Sequence, residues 1–169
     1  MPITPLHMGP ALLGKAALDN RISLIAFGIC QILIDMEPLL GLILHWPQLH
    51  GVTHTLPLAL LLGLLSAVLA RCLSPCLLAR WNREMASQGW LRWQAAQPRW
   101  SALLTGGLLG GVSHLLLDAL MHGDMTPLWP FSAVNPLYEL ITYEQVEWLC
   151  LVCGLLGGVL WGWRRWRRG

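Results

Sequence analysis

Charged side chains are scarce in this chain of 169 residues: they make up 12% of it, against 55% hydrophobic residues. Soluble domains usually carry about twice that fraction of charge. The shortage therefore argues against an ordinary soluble protein. Apolar runs of about 20 residues, the length that a helix needs to cross a hydrocarbon layer of about 30 Å, recur along the chain. These runs predict several membrane-spanning helices.

The first residues also lack the basic stretch, apolar core and cleavage site of a secretory signal peptide. We therefore expect the spans themselves to direct insertion. Hydropathy predicts a single all-α domain over residues 1–169, a polytopic membrane helix bundle with about four transmembrane helices at residues 22 to about 44, 56–79, 101 to about 121 and 146–163. Asp35, Glu37 and Pro38 are expected to break the first span late. Residues 10–18 are apolar apart from Lys15 but too short to span, which predicts a short N-terminal interfacial or re-entrant helix.

Two connecting segments lack lysine and arginine: the short one near residues 45–54 and the one between spans three and four. Arginines gather instead between spans two and three and after span four, at Arg80, Arg83, Arg92, Arg99, Arg164, Arg165, Arg167 and Arg168. By the positive-inside rule the arginine-rich segments and the C-terminus face the cytoplasm, and the other two connections face outward. The tryptophans among the last arginines fit an interfacial anchor, and we expect no nucleic-acid binding.

Ionisable residues inside the spans interrupt the apolar pattern. Such residues are costly in a bilayer, so they usually face the bundle interior and carry function. Asp35 and His114 each lie thirteen residues after the start of a span that begins inside. At 1.5 Å per residue both are expected about 20 Å along their helices, at one depth in the outer half of the membrane.

Span three carries three such residues on one helix face, because His114, Asp118 and His122 are spaced i, i+4, i+8. Imidazole nitrogens and carboxylate oxygens suit zinc or a similar divalent ion. The same outer end is predicted to hold His50, His54, Asp35 and Glu37. A single histidine in a bundle more often hydrogen-bonds a neighbouring helix, and a single aspartate can pair with an arginine or relay protons. The convergence of three segments on one level favours a metal site.

At these residues the chain resembles the YdjM-like family of bacterial inner-membrane proteins, which are regarded as metal-dependent hydrolases. The segment "PLHMGPALLG", with His7 and Gly14, resembles the family's N-terminal segment. The segment "IDMEP" is similar to its D-x-D segment and "HGVTHTL" to its histidine box. The most specific match is "SHLLLDAL" followed by "PLWPFS". The motifs occur in the order and spacing of the family, and the resemblance covers most of the chain.

The resemblance implies a ligand set made of His7, Asp35, His54, His114 and Asp118. It also implies that Glu37 stands where the family often has a second aspartate. The chain departs from the usual H-R-G-x-T-H box, because Leu49 and His50 precede Gly51. His50 replaces one of those side chains or none, and we keep it as a candidate ligand. His122 is expected to lie outside the ligand set, no closer than a second layer around the metal.

We therefore expect a hydrolase of the inner membrane with its site toward the outer side. In it a divalent metal, most suitably zinc, activates water against a phosphoester of a membrane lipid or lipid-linked substrate. The similarity of the family to zinc-dependent phospholipase C points the same way. The general base is expected to be Asp118, Asp35 or Glu37, whichever is not a full ligand.

The alternative is a non-enzymatic protein that uses the same histidines and aspartates for metal or proton transport or for membrane assembly. A transporter needs polar residues along its whole path across the membrane. The inner halves of spans two, three and four are apolar apart from serine, threonine and cysteine. This pattern favours the hydrolase.

Overall fold

The computed structural model describes residues 6–87 and 98–167, and this part of the chain forms a bundle of α-helices without strands. The helices are α1 Met8–Leu18, α2 Leu24–Leu44, α3 Leu56–Ser87, α4 Trp100–Met121 and α5 Tyr143–Trp166. Four of them, α2 to α5, contain stretches long and apolar enough to cross a membrane. The prediction of an all-α bundle with about four spans is confirmed. Arg92 and Arg168, which entered the orientation argument, lie outside the described residues.

Helix α2 is continuous through the residues that were expected to break it, so that expectation was wrong. Pro38 lies inside the helix. Because proline has no N–H, it leaves the carbonyl four residues earlier without its helical partner. That carbonyl belongs to Ile34, and the hydroxyl of Thr53 lies 3.1 Å from its oxygen. A hydroxyl from another segment, whose proton is shared between this carbonyl and Glu37, therefore lies where the helical partner is missing.

Two helices are longer than their predicted spans. Helix α3 continues to Ser87 and α5 runs from Tyr143 to Trp166. Hydropathy marks the part of a helix that lies in lipid, whereas the backbone hydrogen bonds continue into the polar residues beyond it. At the other boundary, Ser23 caps α2, with its hydroxyl oxygen accepting a hydrogen bond from the N–H of Ala26 at 3.2 Å.

Helix α4 lies at the centre of the bundle because its glycines allow close contact on two sides. A Cβ added to Gly106 would overlap the carbonyl oxygen of Ser23 beside α2, and one added to Gly107 would overlap that of Gly63 in α3. Small residues at such positions let helix backbones approach each other in lipid. Helices α2 and α4 therefore run side by side and end together, at the end of the bundle where the predicted site residues lie.

Helix α1 packs along α5 and runs in the same direction. Near its start, a Cβ on Gly9 would overlap the carbonyl oxygen of Cys150 in α5. Near its end, the Arg164 guanidinium of α5 donates a hydrogen bond to the carbonyl of Ala16. Helix α1, the expected short N-terminal helix, thus lies alongside a candidate span. His7, the residue directly before α1, is thereby brought toward the site.

We expect Gly107→Ala to lower the free energy of unfolding by about 1–3 kcal/mol, because overpacking a tight contact forces backbones apart. Thermal unfolding in detergent micelles measures the effect. Gly158→Ala is the matched control in α5, where an added Cβ meets no atom within 4 Å. Equal melting temperatures for the two variants would contradict the close α3–α4 contact.

Candidate metal centre

Four ionisable side chains meet at the end of the bundle where α2 and α4 end. They are Asp35, His54, His114 and Asp118, and one ligand atom from each lies within 4.8 Å of all the others. Nε2 of His114 lies 3.2 Å from Oδ1 of Asp35 and 3.1 Å from Oδ2 of Asp118. Nε2 of His54 lies 3.2 Å from the same Oδ2. Asp35 and His114, which were predicted to lie at one depth, are therefore neighbours in the fold.

The proton of the His114 ring is assigned by its hydrogen-bond network. The Gln31 side chain donates from Nε2 to the carbonyl of Gly110 at 2.9 Å, which turns its Oε1 toward His114. This oxygen lies 2.6 Å from Nδ1 of His114. Since an amide oxygen only accepts, Nδ1 of His114 carries the proton. The lone pair of the ring is then on Nε2, which faces the two carboxylates.

A second and separate network assigns the proton of His54. The Thr53 hydroxyl lies 2.5 Å from Oε2 of Glu37 and 3.1 Å from the carbonyl oxygen of Ile34, and both of these atoms only accept. Its single proton is therefore engaged, and toward Nδ1 of His54, at 3.0 Å, it acts as the acceptor. Nδ1 of His54 is protonated, and its Nε2 presents a lone pair to Asp118.

These assignments place two nitrogen lone pairs around one carboxylate oxygen in a buried space. Neither Nε2 of His54 nor Nε2 of His114 has a hydrogen-bond partner, and both atoms are buried. Buried acceptors that face each other are unfavourable unless a cation lies among them. Histidines whose other nitrogen is held by an oxygen are typical metal ligands.

His7 is brought to the edge of this cluster by α1. Its Nε2 lies 3.5 Å from Oδ1 of Asp118, and its ring contacts that of His114 edge to face at 4.8 Å between centroids. Both nitrogens of His7 are buried without a hydrogen-bond partner. Helical periodicity could not place this residue, whereas the family resemblance named it as a candidate ligand.

Glu37, a candidate general base, has a different set of contacts. Its carboxylate accepts hydrogen bonds from the backbone N–H groups of Val52 at 3.0 Å and Thr53 at 2.8 Å, besides the Thr53 hydroxyl. It thereby fixes the 3₁₀ turn Val52–His54 that carries His54. Its Oε2 comes no closer to that ring than 3.9 Å, at Nδ1. Glu37 is a positioning residue for the histidine box.

His50 and His122 lie beside the four-residue cluster and form a group with Asp118, again with ligand atoms within 4.8 Å of one another. The two imidazole rings stack at 4.0 Å between centroids. His122 thus belongs to a second group of ligand atoms that shares Asp118 with the first. The reason is local, because α4 ends at Met121 and the extended backbone of His122 departs from the helix.

Asp124 contacts His50 at Nδ1 of its ring. Its two carboxylate oxygens lie 3.0 and 3.1 Å from Nδ1 of His50, and its Oδ2 also accepts from the backbone N–H of His50 at 3.3 Å. Partial burial alone would raise the pKa of Asp124, but the hydrogen bonds to His50 outweigh it and lower that pKa. The residue therefore stays a carboxylate and fixes the orientation of the ring.

Sequence reasoning missed Gln31, Thr53 and Asp124, the three side chains that orient the histidines. Gln31 left a signal, because it is a lone amide in an apolar span, one turn before Asp35. The search for ionisable residues passed over it. Thr53 lies inside the histidine box, but its contacts to α2 depend on how the box folds back. Asp124 follows His122 by two residues and has no signal of its own.

This fold and this site define a multi-pass membrane protein with a buried cluster of histidines and aspartates that can hold a metal ion. A family model described as YdjM inner membrane protein matches residues 8–169, and the chain belongs to this family. It is accordingly a multi-pass inner-membrane protein. The match begins directly after His7 and so does not include that residue. Comparisons with curated proteins and with solved structures gave no significant match.

We expect Gln31→Leu to weaken the binding of Zn²⁺ about 10- to 100-fold, because His114 loses the acceptor that fixes its protonation. Titration of metal-free protein in detergent with Zn²⁺ measures the loss. Gln31→Glu keeps an oxygen acceptor in place and is expected to retain most of the affinity. Unchanged affinity in Gln31→Leu would contradict the assigned protonation of His114.

Proposed function

We propose that this protein is a membrane-bound, metal-dependent hydrolase. The proposed ligands of its divalent metal, for which zinc is the best fit, are His7, His54, His114 and Asp118. Asp35, the fifth candidate of the set, is not counted as a full ligand. The observation that carries the proposal is the convergence of Nε2 of His54 and Nε2 of His114 on Oδ2 of Asp118, with a second carboxylate, that of Asp35, beside them. Two imidazoles and carboxylates are a usual ligand set of catalytic zinc.

A metal in this place would lower the pKa of a water toward about 7 and polarise the bond under attack. Asp35 is then the best candidate for the general base. Its side chain is 30% exposed, whereas that of Asp118 is 5% exposed and lies among three histidines. In the reaction Asp35 takes a proton from the attacking water, whose oxygen bonds to phosphorus. The P–O ester bond breaks, and the leaving alcohol takes up a proton.

The proposed substrate is a phosphoester of a membrane lipid or of a lipid-linked molecule. Support comes from the connection between α4 and α5, at the same end as the cluster. It is tied to the end of α4 by the Asn135 amide, which donates to the carbonyls of Ala119 and His122. It also exposes large apolar side chains, among them Trp129 and Phe131, the latter 91% exposed. Exposed apolar side chains beside a site are typical of surfaces that meet lipid.

We propose further that the site opens on the outer side of the membrane, with the C-terminus in the cytoplasm. The support is the distribution of charge, because Arg80 and Arg83 of α3 and Arg164 and Arg167 after the apolar part of α5 lie at the ends of their helices away from the cluster. Arginine-rich ends remain in the cytoplasm.

Reporter fusions test this orientation. We expect a fusion after Val134, in the connection between α4 and α5, to give the signal of an outer location. A fusion after Trp90, between α3 and α4, is expected to give the cytoplasmic signal. The reverse pattern would place the site on the cytoplasmic face and remove the charge argument.

Transport of a metal or of protons through the same residues is the rival function, and the packing of the bundle disfavours it. On the side of the cluster nearer the arginines, the described interior includes the fully buried Ala26, Ala67, Ala70 and Leu103, besides buried polar side chains such as Ser66 and Ser74. The buried residues of the described chain on this side include no histidine and no carboxylate, so the ligand types of the cluster do not continue along a path. An assembly function would need no turnover, so a turnover assay separates it from the proposed one.

Metal analysis of the detergent-purified protein is the first test. We expect bound metal in the unaltered protein and a large loss in His114→Ala and Asp118→Ala, because each variant removes a central ligand. His45→Asn is the matched control, since His45 is an exposed loop residue with a left-handed backbone that asparagine tolerates. Equal, negligible metal in all four proteins would refute the metal site.

Turnover is the second test. We expect phosphate or phosphoalcohol release from a panel of lipid phosphates and phospholipids, with a loss of at least about 100-fold in Asp35→Asn if that carboxylate is the base. His45→Asn should turn over as the unaltered protein does. Metal flux into proteoliposomes without turnover on any lipid would instead establish the rival function.

A further inference from the structure

We propose that the site holds a second divalent metal, bound by His50 and His122 and sharing Asp118 with the first. This inference rests on the proposed metal-dependent function and goes beyond its ligand set. The two groups of ligand atoms on which it depends overlap in one residue, because Asp118 belongs to both. A single buried carboxylate between two sets of histidines is the arrangement from which two-metal centres are built.

His50 is prepared as a ligand in the same way as His54 and His114. The Asp124 carboxylate lies 3.0 Å from its Nδ1 and can only accept, so Nδ1 is protonated and the lone pair is on Nε2. A carboxylate behind a histidine is a frequent partner of metal-bound imidazoles and raises their basicity. Asp124 thus acts toward His50 as Gln31 acts toward His114.

The loop that presents His50 is fixed as well. The side-chain amide of Gln48 donates to the carbonyl of His50 at 3.1 Å and to that of Asp124 at 3.0 Å. These two bonds join the segment before α3 to the segment after α4. His50 and His122 come from these two segments, and the bonds therefore keep the pair together without a contribution from their own rings.

The stacking of His50 on His122 has a simpler explanation, which is packing between two flat rings. Packing alone, however, does not require two carboxylates beside the pair. Asp124 binds Nδ1 of His50, and ligand atoms of His50, His122 and Asp118, one from each, lie within 4.8 Å of one another. Two imidazoles with a buried carboxylate in front of them form a metal-ligating set.

A second metal fits the proposed substrate class. Two metals about 3.5–4 Å apart stabilise both the attacking and the leaving oxygen of an in-line displacement at phosphorus. A phosphoester, in which negative charge builds up on several oxygens at once, is therefore a suitable substrate for such a centre.

Metal stoichiometry tests the inference. Metal-free protein in detergent is loaded with Zn²⁺, desalted and analysed, and parallel samples are titrated by calorimetry. We expect two ions per chain in the unaltered protein and in His45→Asn, one in His50→Gln and in His122→Gln, and a loss of both in Asp118→Asn. A milder variant, Asp124→Asn, is expected to weaken the second ion about 10- to 100-fold and to leave the first unchanged.

Loading with Mn²⁺ gives a readout that does not depend on counting ions. Two Mn²⁺ ions that share a carboxylate should give an exchange-coupled paramagnetic resonance signal, and His122→Gln should give the signal of a single ion. Melting temperatures of the variants in detergent show whether a loss of metal reflects unfolding. If His50→Gln or His122→Gln unfolds, Asp124→Asn still tests the second metal.

The outcomes separate this inference from the proposed function. One ion per chain, with no change in the His50 and His122 variants, would overturn the second metal and leave the hydrolase proposal intact. Two ions per chain that persist in both variants would also overturn it, because the second ion would then lie elsewhere. No ion in the unaltered protein would overturn both proposals.

Discussion

The crowding of acceptor atoms around Asp118 is the constraint on which the rest of this structure depends. In a bundle surrounded by hydrocarbon, water is not at hand to relieve buried polar atoms, so each must find a partner within the protein. The outward-facing nitrogens of the central histidines have such partners in Gln31 and Thr53. The inward-facing nitrogens do not. The hydrogen bonds of Gln31 and Thr53 thus orient the two rings toward a point at which a cation would be stabilised.

Close helix packing makes this arrangement possible. The glycines of α4 bring the backbones of α2 and α3 near enough that short side chains from separate segments touch. With larger residues at Gly106 or Gly107, the neighbouring helices would stand farther apart, and Asp35 and His54 would no longer reach the residues of α4. The glycines at the centre of the bundle therefore determine the distances between the ionisable residues at its end.

Much of this could be predicted from the sequence, since the rise of a helix is constant and the positions of Asp35 and His114 along their spans follow from counting. The rotation of each helix about its axis does not follow from counting. The contact of Gln31 with His114 depends on that rotation and was missed. Contacts from distant segments also could not be predicted. The expected break at Pro38 was wrong, and the Thr53 hydroxyl of another segment lies beside the carbonyl that the proline leaves free. Glu37 is bound by the backbone of a turn that follows α2. The position of His122 beside His50 depends on where α4 ends.

The pairing of α1 with α5 has a consequence for the order in which the site is assembled. His7 directly precedes α1, whereas the surface along which α1 packs belongs to α5, which is synthesised after the other described helices. Until α5 is inserted, α1 lacks this surface, and His7 is not held beside Asp118 by it. The cluster of histidines and aspartates is therefore complete only once α5 is in place.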